Sequence, residues 1–388
     1  MPNPKVLHII TRFVPGGADE NTLLTIKGLQ KHKYEVDFLV GGESDFSYLS
    51  KIKNINFIII KELKRNTKPF DDLLAFFKIF RIIKINRYDI VHTHTAKAGI
   101  LGRLAARLAR TPIIIHTLHG VTFHDFLHPL TKNFYVLLEK IAGCFTDVFI
   151  TVGEDLKRKY IAKNIAKSNK FITIRSGIEL DKFVYYSQLS EEYRLREKER
   201  LGISKSDVVI GTASRLEPRK GHLYLLKAAE EIVKKFPNTK FLILGDGYYK
   251  CRLEQEVKNL DLTDNVFFLG FRQDIHKIFP LFDIFVLTSL WEGLPRVLVQ
   301  AAAAGKPIVT FNVEGAREVV KEGVNGFIVP LKNVKVLIER LSFLIGDLSQ
   351  AKHMGMRGRE FITDSWDKDA MVEKTLALYE NLINNRCS

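Results

Sequence analysis

VVIGTASRLEPRKGHLYLL, residues 208–226, passes from a short β-branched run into a charged turn and then into a segment with helical spacing of its apolar residues. This is the strand and turn of a βα unit, and the run is apolar on both faces, as a buried parallel strand must be. Just before it lies a charge-dense interruption, SQLSEEYRLREKER from Ser187 to Arg200, and the same rhythm occupies both sides of that break. Upstream, strands are predicted at Val6–Ile10, Tyr34–Val40, Phe57–Ile60, Ile90–His92, Ile113–His116 and Val148–Thr151, with helices near 20–31, 70–86, 97–109, 130–143 and 154–163. Downstream, they are predicted at Val208–Ala213, Lys240–Leu244, Val266–Leu269, Ile284–Leu287, Ile308–Thr310 and Gly326–Val329, with helices near 221–235, 249–259, 274–279, 296–304 and 315–321. The fold class is therefore α/β: two Rossmann-like, doubly wound parallel-sheet domains, residues 1–187 and 188–365, expected to face each other across a cleft.

Composition agrees. A chain of 388 residues with 46 % hydrophobic side chains has material for two cores. Its formal charge of +15 sits mostly in the first half, where 29 basic side chains face 17 acidic ones against 30 and 27 in residues 188–388. Such an excess suits an acidic partner, phosphate or anionic lipid. Cys144, Cys251 and Cys387 are scattered and form no CxxC pair, which argues against a disulfide framework and for a cytoplasmic protein. No apolar run approaches the ~20 residues that span a bilayer, so at most a peripheral attachment to the inner face of the plasma membrane is expected.

In doubly wound sheets ligands sit beyond the carboxyl ends of the strands. The first such loop, TRFVPGGADENTLL from Thr11, offers Gly16 and Gly17 ahead of a helix, where backbone can approach an anion. It lacks GxGxxG, and FLVGGES supplies no acid at the end of the second strand, so a dinucleotide site is disfavoured. In the second domain Arg215 and Lys220 flank a helix start at Gly221, a combination that can clamp a diphosphate. In IFVLTSLWEGLPRVLVQAAAAGKPIV (284–309), Glu292 and Gly293 form a turn, Pro295 suits the first helical position, and Gln300 would stand about 12 Å further along a helix. ILGDGYYK contributes Gly245, and LGFRQDIHKIF exposes the backbone of Phe271 and Arg272 to a flat base, with the Phe271 side chain expected to pack. His92, His94, His116 and His119 cluster near strand ends, but without metal-ligand spacing, so no metal is expected; His119, before a glycine, is the candidate to meet a sugar or a reacting centre. Arg103, Arg107 and Arg110, then Lys159, Lys163 and Lys167, fall at helical spacing as basic faces, either solvated or laid on anionic lipid, and helix 70–86 mixes Phe, Ile and Lys as an interface would.

Taken together, SRLEPRKGHLYLL, TSLWEGLPRVLVQAAAAGKPIV, NGFIV, the GGA loop and HTHTAKAG/LHG resemble the retaining glycosyltransferases of family 4, the group 1 transferases of GT-B fold, over nearly the whole chain. The resemblance implies a nucleotide-sugar donor held by the second domain, an acceptor held by the first, no metal ion, and a last helix from Trp366 that crosses back to the first domain. Carried over by position, Gly16 and Gly17 approach the donor phosphates, His119 touches the transferred sugar, Arg215 and Lys220 neutralise the diphosphate and Glu292 binds sugar hydroxyls. Gly245, Phe271, Arg272, Gly293, Leu294, Pro295, Arg296 and Gln300 complete the donor site. The family pattern has a second glutamate where this chain has Gln300, so only ribose binding is inferred there.

The expected activity is retaining transfer of a hexose or N-acetylhexosamine from a nucleoside diphosphate sugar, UDP by family habit, to an acceptor hydroxyl in cell-surface polysaccharide or lipopolysaccharide assembly. A lipid-linked acceptor suits the basic first half. Two alternatives stay open: a hydrolysing UDP-N-acetylglucosamine 2-epimerase of the same fold, and a basic two-domain binding protein. Nucleic acid is disfavoured as a partner because the basic faces lack interleaved aromatic residues.

Overall fold

The computed structural model describes residues 3–387 and divides the chain into two compact units. They part between Gly177 and Ile178, ten residues before the junction read from the sequence, and the chain rejoins the first unit at Lys368. Among the described residues the first unit builds a seven-stranded parallel sheet from β1 (Lys5–Ile10), β2 (Glu35–Gly41), β3 (Asn56–Ile60), β4 (Ile90–His94), β5 (Ile113–Leu118), β6 (Val148–Thr151) and β7 (Phe171–Thr173), ordered β3-β2-β1-β4-β5-β6-β7. Its helices are α1 (Gly17–Lys31), α2 (Phe46–Leu49), α3 (Pro69–Asn86), α4 (Ala96–Leu108), α5 (Pro129–Cys144) and α6 (Glu154–Ala162). The order turns back between β1 and β4, which pair in parallel with His8 opposite His92.

Two apolar layers hold this sheet. On one face Leu23, Ile26 and Leu29 of α1 cluster with Val6, Ile10, Val36 and Phe38; the chain's last helix adds Met371, Val372, Leu376 and Tyr379 to the same cluster. Gly28 permits that approach, since a Cβ there would stand 2.3 Å from a methyl of Val372. On the other face Leu7, Ile9, Val91 and Ile114 meet Ala75, Ile79 and Ile83 of α3 and Ala98, Ala105 and Ala106 of α4. Each fully buried Leu or Ile contributes roughly 1.5–3 kcal/mol.

The second unit begins with α7 (Leu180–Ser187) and α8 (Glu191–Arg200). Then come β8 (Val208–Ala213), α9 (His222–Lys235), β9 (Thr239–Leu244), α10 (Lys250–Asn259), β10 (Val266–Gly270), α11 (Ile275–Ile278), β11 (Ile284–Leu287), α12 (Arg296–Ala303), β12 (Ile308–Phe311), α13 (Ala316–Val319), β13 (Gly326–Val329), α14 (Val334–Gly346) and α15 (Leu348–Glu360). Their six strands form a parallel sheet ordered β10-β9-β8-β11-β12-β13, which turns back between β8 and β11. The chain then leaves this unit as α16 (Lys368–Cys387).

The charged stretch expected to interrupt the fold is α8. Ser190 caps it by accepting from the Tyr193 N–H at 3.3 Å, Arg194 pairs with Glu191 at 2.9 Å and with Asp283, and the buried Lys198 ammonium donates to the Asp207 carbonyl at 2.7 Å.

The basic faces also differ from expectation. Arg103 is fully buried: it pairs with Glu139 at 2.7 Å, donates to the Gly99 carbonyl at 2.7 Å and lies over the Phe149 ring. Helix α6 stops at Ala162, so Lys163 and Lys167 do not continue the Lys159 face. Truncating one partner of a buried pair strands the other charge. Arg103→Leu is therefore expected to lower stability by about 3–5 kcal/mol in denaturant unfolding, and Arg103→Leu with Glu139→Leu to recover most of that loss. Cys144 and Cys251 are free and exposed; the Cys387 side chain lies outside the described residues.

Candidate active site

The turning point of an open α/β sheet leaves a crevice, because the loops leaving its two central strands diverge to opposite faces. In the second unit those loops are 214–221 after β8 and 288–295 after β11, and backbone hydrogen bonds stitch them together. Leu290 N–H donates to the Arg219 carbonyl at 2.8 Å, and the Thr288 hydroxyl donates to the Lys220 carbonyl at 3.2 Å. Gly221, with φ +66°, caps α9, and a Cβ on it would stand 2.0 Å from the Thr288 carbonyl oxygen, so only glycine allows the loops to lie this close.

This stitching brings together charges that are far apart in sequence. Lys220 Nζ donates to Glu292 Oε1. Arg219 lies 3.9 Å from the other Glu292 oxygen and donates to Glu217 at 3.0 Å, and Arg215 stands 4.0 Å from Glu217. Lys220 and Glu292 are 12 % and 11 % exposed, so water screens the pair poorly. Burial pushes the Glu292 carboxyl up, but Lys220 and Arg219 outweigh it and hold the group below the usual carboxylate range. Burial lowers Lys220, against the opposing pull of Glu292. Behind them, His222 is kept neutral by burial and by Lys220, down to about 3, and shares a 3.1 Å hydrogen bond with Ser214. Arg215, Arg219 and Lys220 face Glu217 and Glu292, and a third carboxylate, Glu314, accepts from the Glu292 N–H at 3.4 Å, so the cluster holds its cations among acceptors that an arriving anion would have to replace.

The neighbouring loops carry the other predicted donor residues. Gly245 N–H donates to the Gly270 carbonyl at 2.8 Å and Leu216 N–H to the Asp246 carbonyl at 2.9 Å, which ties the ends of β9, β10 and β8 into one edge. Phe271 does not pack, being 51 % exposed. The Arg272 guanidinium is held by Asp274 in two bonds of 2.9 and 2.8 Å. Pro295 stands one residue before α12, not inside it, and Glu292 lies in the loop, so the rise from Glu292 to Gln300 is not a helical one. Arg296 and Gln300 are buried on α12, as are Gly293 and Leu294 before it. The Gln300 Oε1 has no hydrogen-bond partner among the described residues, an acceptor that a ligand hydroxyl could satisfy. Arg219 and Glu217 were missed in the sequence; the available signal was the unbroken EPRKG run beside Lys220.

Gly16, Gly17 and His119 belong to the first unit. Gly16 (φ +116°) caps α1 and Gly17 (φ +49°) begins it, so the helix starts with no side-chain cap. At that sheet's own turning point Thr11 and Thr95 join the β1 and β4 loops at 2.8 Å. His119, half-buried one residue past β5, meets His94 Nδ1 through its Nε2 at 3.0 Å, and His94 Nε2 meets His8 Nδ1 at 2.9 Å. His8, His92 and His94 could together hold a metal ion, yet the facing nitrogens of His8 and His94 already share a hydrogen bond.

Comparison with known proteins decides the family. The family model described as "Glycosyl transferases group 1" matches residues 194–361, and "Glycosyltransferase Family 4" matches residues 15–182. The chain belongs to the group 1, family 4 glycosyltransferases. This transferase is 29 % identical to the UDP-Gal:alpha-D-GlcNAc-diphosphoundecaprenol alpha-1,3-galactosyltransferase of Escherichia coli, over 98 % of each chain. It is also 29 % identical to the N,N'-diacetylbacillosaminyl-diphospho-undecaprenol alpha-1,3-N-acetylgalactosaminyltransferase of Campylobacter jejuni, over 93 % of this chain and 94 % of that one. In fold it is similar to Anabaena Alr3699/HepE in complex with UDP and glucose, with a TM-score of 0.81 and 23 % identity over 97 % of this chain and 100 % of that one. The two parallel-sheet units are those of the GT-B class.

Proposed function

We propose that this transferase moves a hexose or N-acetylhexosamine from a UDP-sugar to a hydroxyl of a lipid-linked saccharide, with retention at the anomeric carbon and without a metal ion. The observation that carries the reading is the largely buried Lys220–Glu292 pair with Arg219 and Arg215 beside it at the sheet's turning point. Breaking the C1–O bond builds negative charge on the departing β-phosphate. Cations already set against the diphosphate before the bond breaks, in a poorly hydrated site, stabilise that charge without reorganising in the chemical step, the largest contribution such a site can make. When the diphosphate arrives, Lys220 and Arg219 turn to its oxygens and Glu292 is released to accept from sugar hydroxyls. With no carboxylate assigned as nucleophile, the acceptor hydroxyl attacks from the face the phosphate leaves, giving up its proton to that phosphate. The lipid-linked acceptor is drawn from what the Escherichia coli and Campylobacter jejuni relatives are named for. Calorimetry with a panel of nucleoside diphosphate sugars tests the donor: UDP-sugars are expected to bind in EDTA, and no binding by any member would refute the reading.

No helix among the described residues is long and apolar enough to cross a membrane. The first unit instead exposes apolar side chains along α5, Leu130, Phe134, Leu137 and Ile141 at steps of four, three and four residues. On α3 Phe70, Leu73 and Phe77 are exposed together with Arg81 and Lys84. Helix α4 packs against both and adds exposed Arg107, with exposed Arg110 in the turn just past its end. This apolar face with cations at its rim suits the inner face of an anionic membrane, each cation adding about 1 kcal/mol. Vesicles rich in phosphatidylglycerol are expected to co-sediment the protein, and Phe134→Glu to weaken that binding about 10-fold or more by removing an exposed apolar side chain that would enter the bilayer; an unchanged partition coefficient would sink the assignment.

A further inference from the structure

His119 is one end of a longer chain of groups. From it the hydrogen bonds run through His94 and His8 to Tyr379 of α16, whose hydroxyl lies 3.5 Å from His8 Nε2 and 2.6 Å from His92 Nδ1. His92 closes the path on the Thr117 hydroxyl at 2.6 Å. His8, His92, His94 and Tyr379 are all essentially without solvent access, so the path is dry apart from a space of about 10 Å³ beside His92 and His94, room for one water. Burial keeps the three histidines neutral and the phenol protonated. A neutral imidazole has one N–H and one lone pair, so every ring must donate on one side and accept on the other.

We propose that Tyr379 sets the tautomer of His119, through His8 and His94, with the proton on Nε2 pointing inward and Nδ1 left as the ring's acceptor nitrogen. The direction follows from the Tyr379 end. A phenol is a far better donor than a neutral imidazole N–H, and an imidazole nitrogen a better acceptor than a phenol oxygen, so in the short 2.6 Å bond Tyr379 donates to His92. The Tyr379 hydroxyl has one proton and has spent it there. Toward His8 its oxygen can only accept, and a lone pair on His8 Nε2 would face that oxygen with no proton between them, a buried mismatch that costs about 1–3 kcal/mol. His8 therefore carries its proton on Nε2 and accepts at Nδ1 from His94 Nε2–H. His94 in turn accepts at Nδ1 from His119 Nε2–H.

The consequence for transfer rests on the reading of His119 as a sugar contact: in this tautomer Nδ1 carries a lone pair and is of the kind that accepts a hydrogen bond from a sugar hydroxyl, and in the opposite tautomer it would carry a proton and could not. Tyr379 touches no substrate in this account and is a positioning residue. Its place in α16 makes that helix part of the machinery of the first unit.

The test is 15N NMR of the full-length protein labelled at histidine, which separates protonated from bare ring nitrogens without any assay of activity. Wild type is expected to show His119 protonated at Nε2 and bare at Nδ1; the reverse pattern overturns the proposal. Tyr379→Phe keeps the ring in its core and removes only the hydroxyl. It is expected to mix the His119 tautomers and to cut kcat about 10-fold or more, with the UDP dissociation constant unchanged. Tyr34→Phe, which alters a ring packed edge-on to Tyr379 outside the path, is expected to change neither. Preserved tautomer and kcat in Tyr379→Phe would overturn the proposal, as would one tightly bound metal ion per chain by elemental analysis. Should His119→Ala leave transfer intact while the wild-type tautomer is as expected, the sugar contact fails and the relay stands.

Discussion

Lys220→Ala is expected to cut sugar transfer by about 10²–10³-fold, the loss seen when one fixed charge-stabilising donor leaves an active site. The loss should appear in kcat, because the charge Lys220 meets develops as the C1–O bond breaks. Folding should survive. Arg219, at 3.9 Å, still faces the stranded Glu292, so the cost is about 1–3 kcal/mol and not that of an uncompensated buried charge. Steady-state kinetics beside a thermal melt checks both halves: a folded variant with near-normal kcat would show that Lys220 is a structural partner of Glu292 and no more.

Glu292→Ala is expected to lose transfer by a similar factor, about 10²–10³-fold, but by a different route. The carboxylate now occupies Lys220 and Arg219; without it both are free to turn to a diphosphate. UDP is therefore expected to bind the variant at least as tightly as it binds wild type, while the advantage of UDP-sugar over UDP disappears. Paired calorimetric titrations with UDP and UDP-sugar separate the two contributions. A parallel fall in affinity for both ligands would place Glu292 on the nucleotide and remove its role with the sugar hydroxyls.

These two residues show how far the sequence could be read. Lys220 and Glu292 were each legible from position, at a loop beyond a strand and before a helix. Their contact was not, because 72 residues separate them and only the pairing of β8 with β11 makes them neighbours. Arg103 misled for the same reason: helical spacing with Arg107 and Arg110 suggests one basic face, whereas Glu139 on α5 draws it into the interior. The strands were legible because buried parallel strands are continuous apolar runs; β7, three residues long, gave too short a run. Helix α8 hid behind its charge, since its stability comes from an end cap and ion pairs and not from an apolar stripe. Neither His8 nor Tyr379 drew notice, the first inside an apolar strand and the second in a tail of ordinary amphipathic composition.

The most direct measurement is transfer itself: a labelled UDP-hexose or UDP-N-acetylhexosamine incubated with a diphosphoundecaprenol-linked sugar in EDTA, the product's anomeric configuration read by NMR. The expected result is an α-linked product from an α-linked donor at a rate that added magnesium leaves unchanged. Activity abolished by the chelator and restored by a divalent ion would contradict the claim that Arg215, Arg219 and Lys220 alone carry the leaving charge, and free sugar released without any acceptor would contradict transfer.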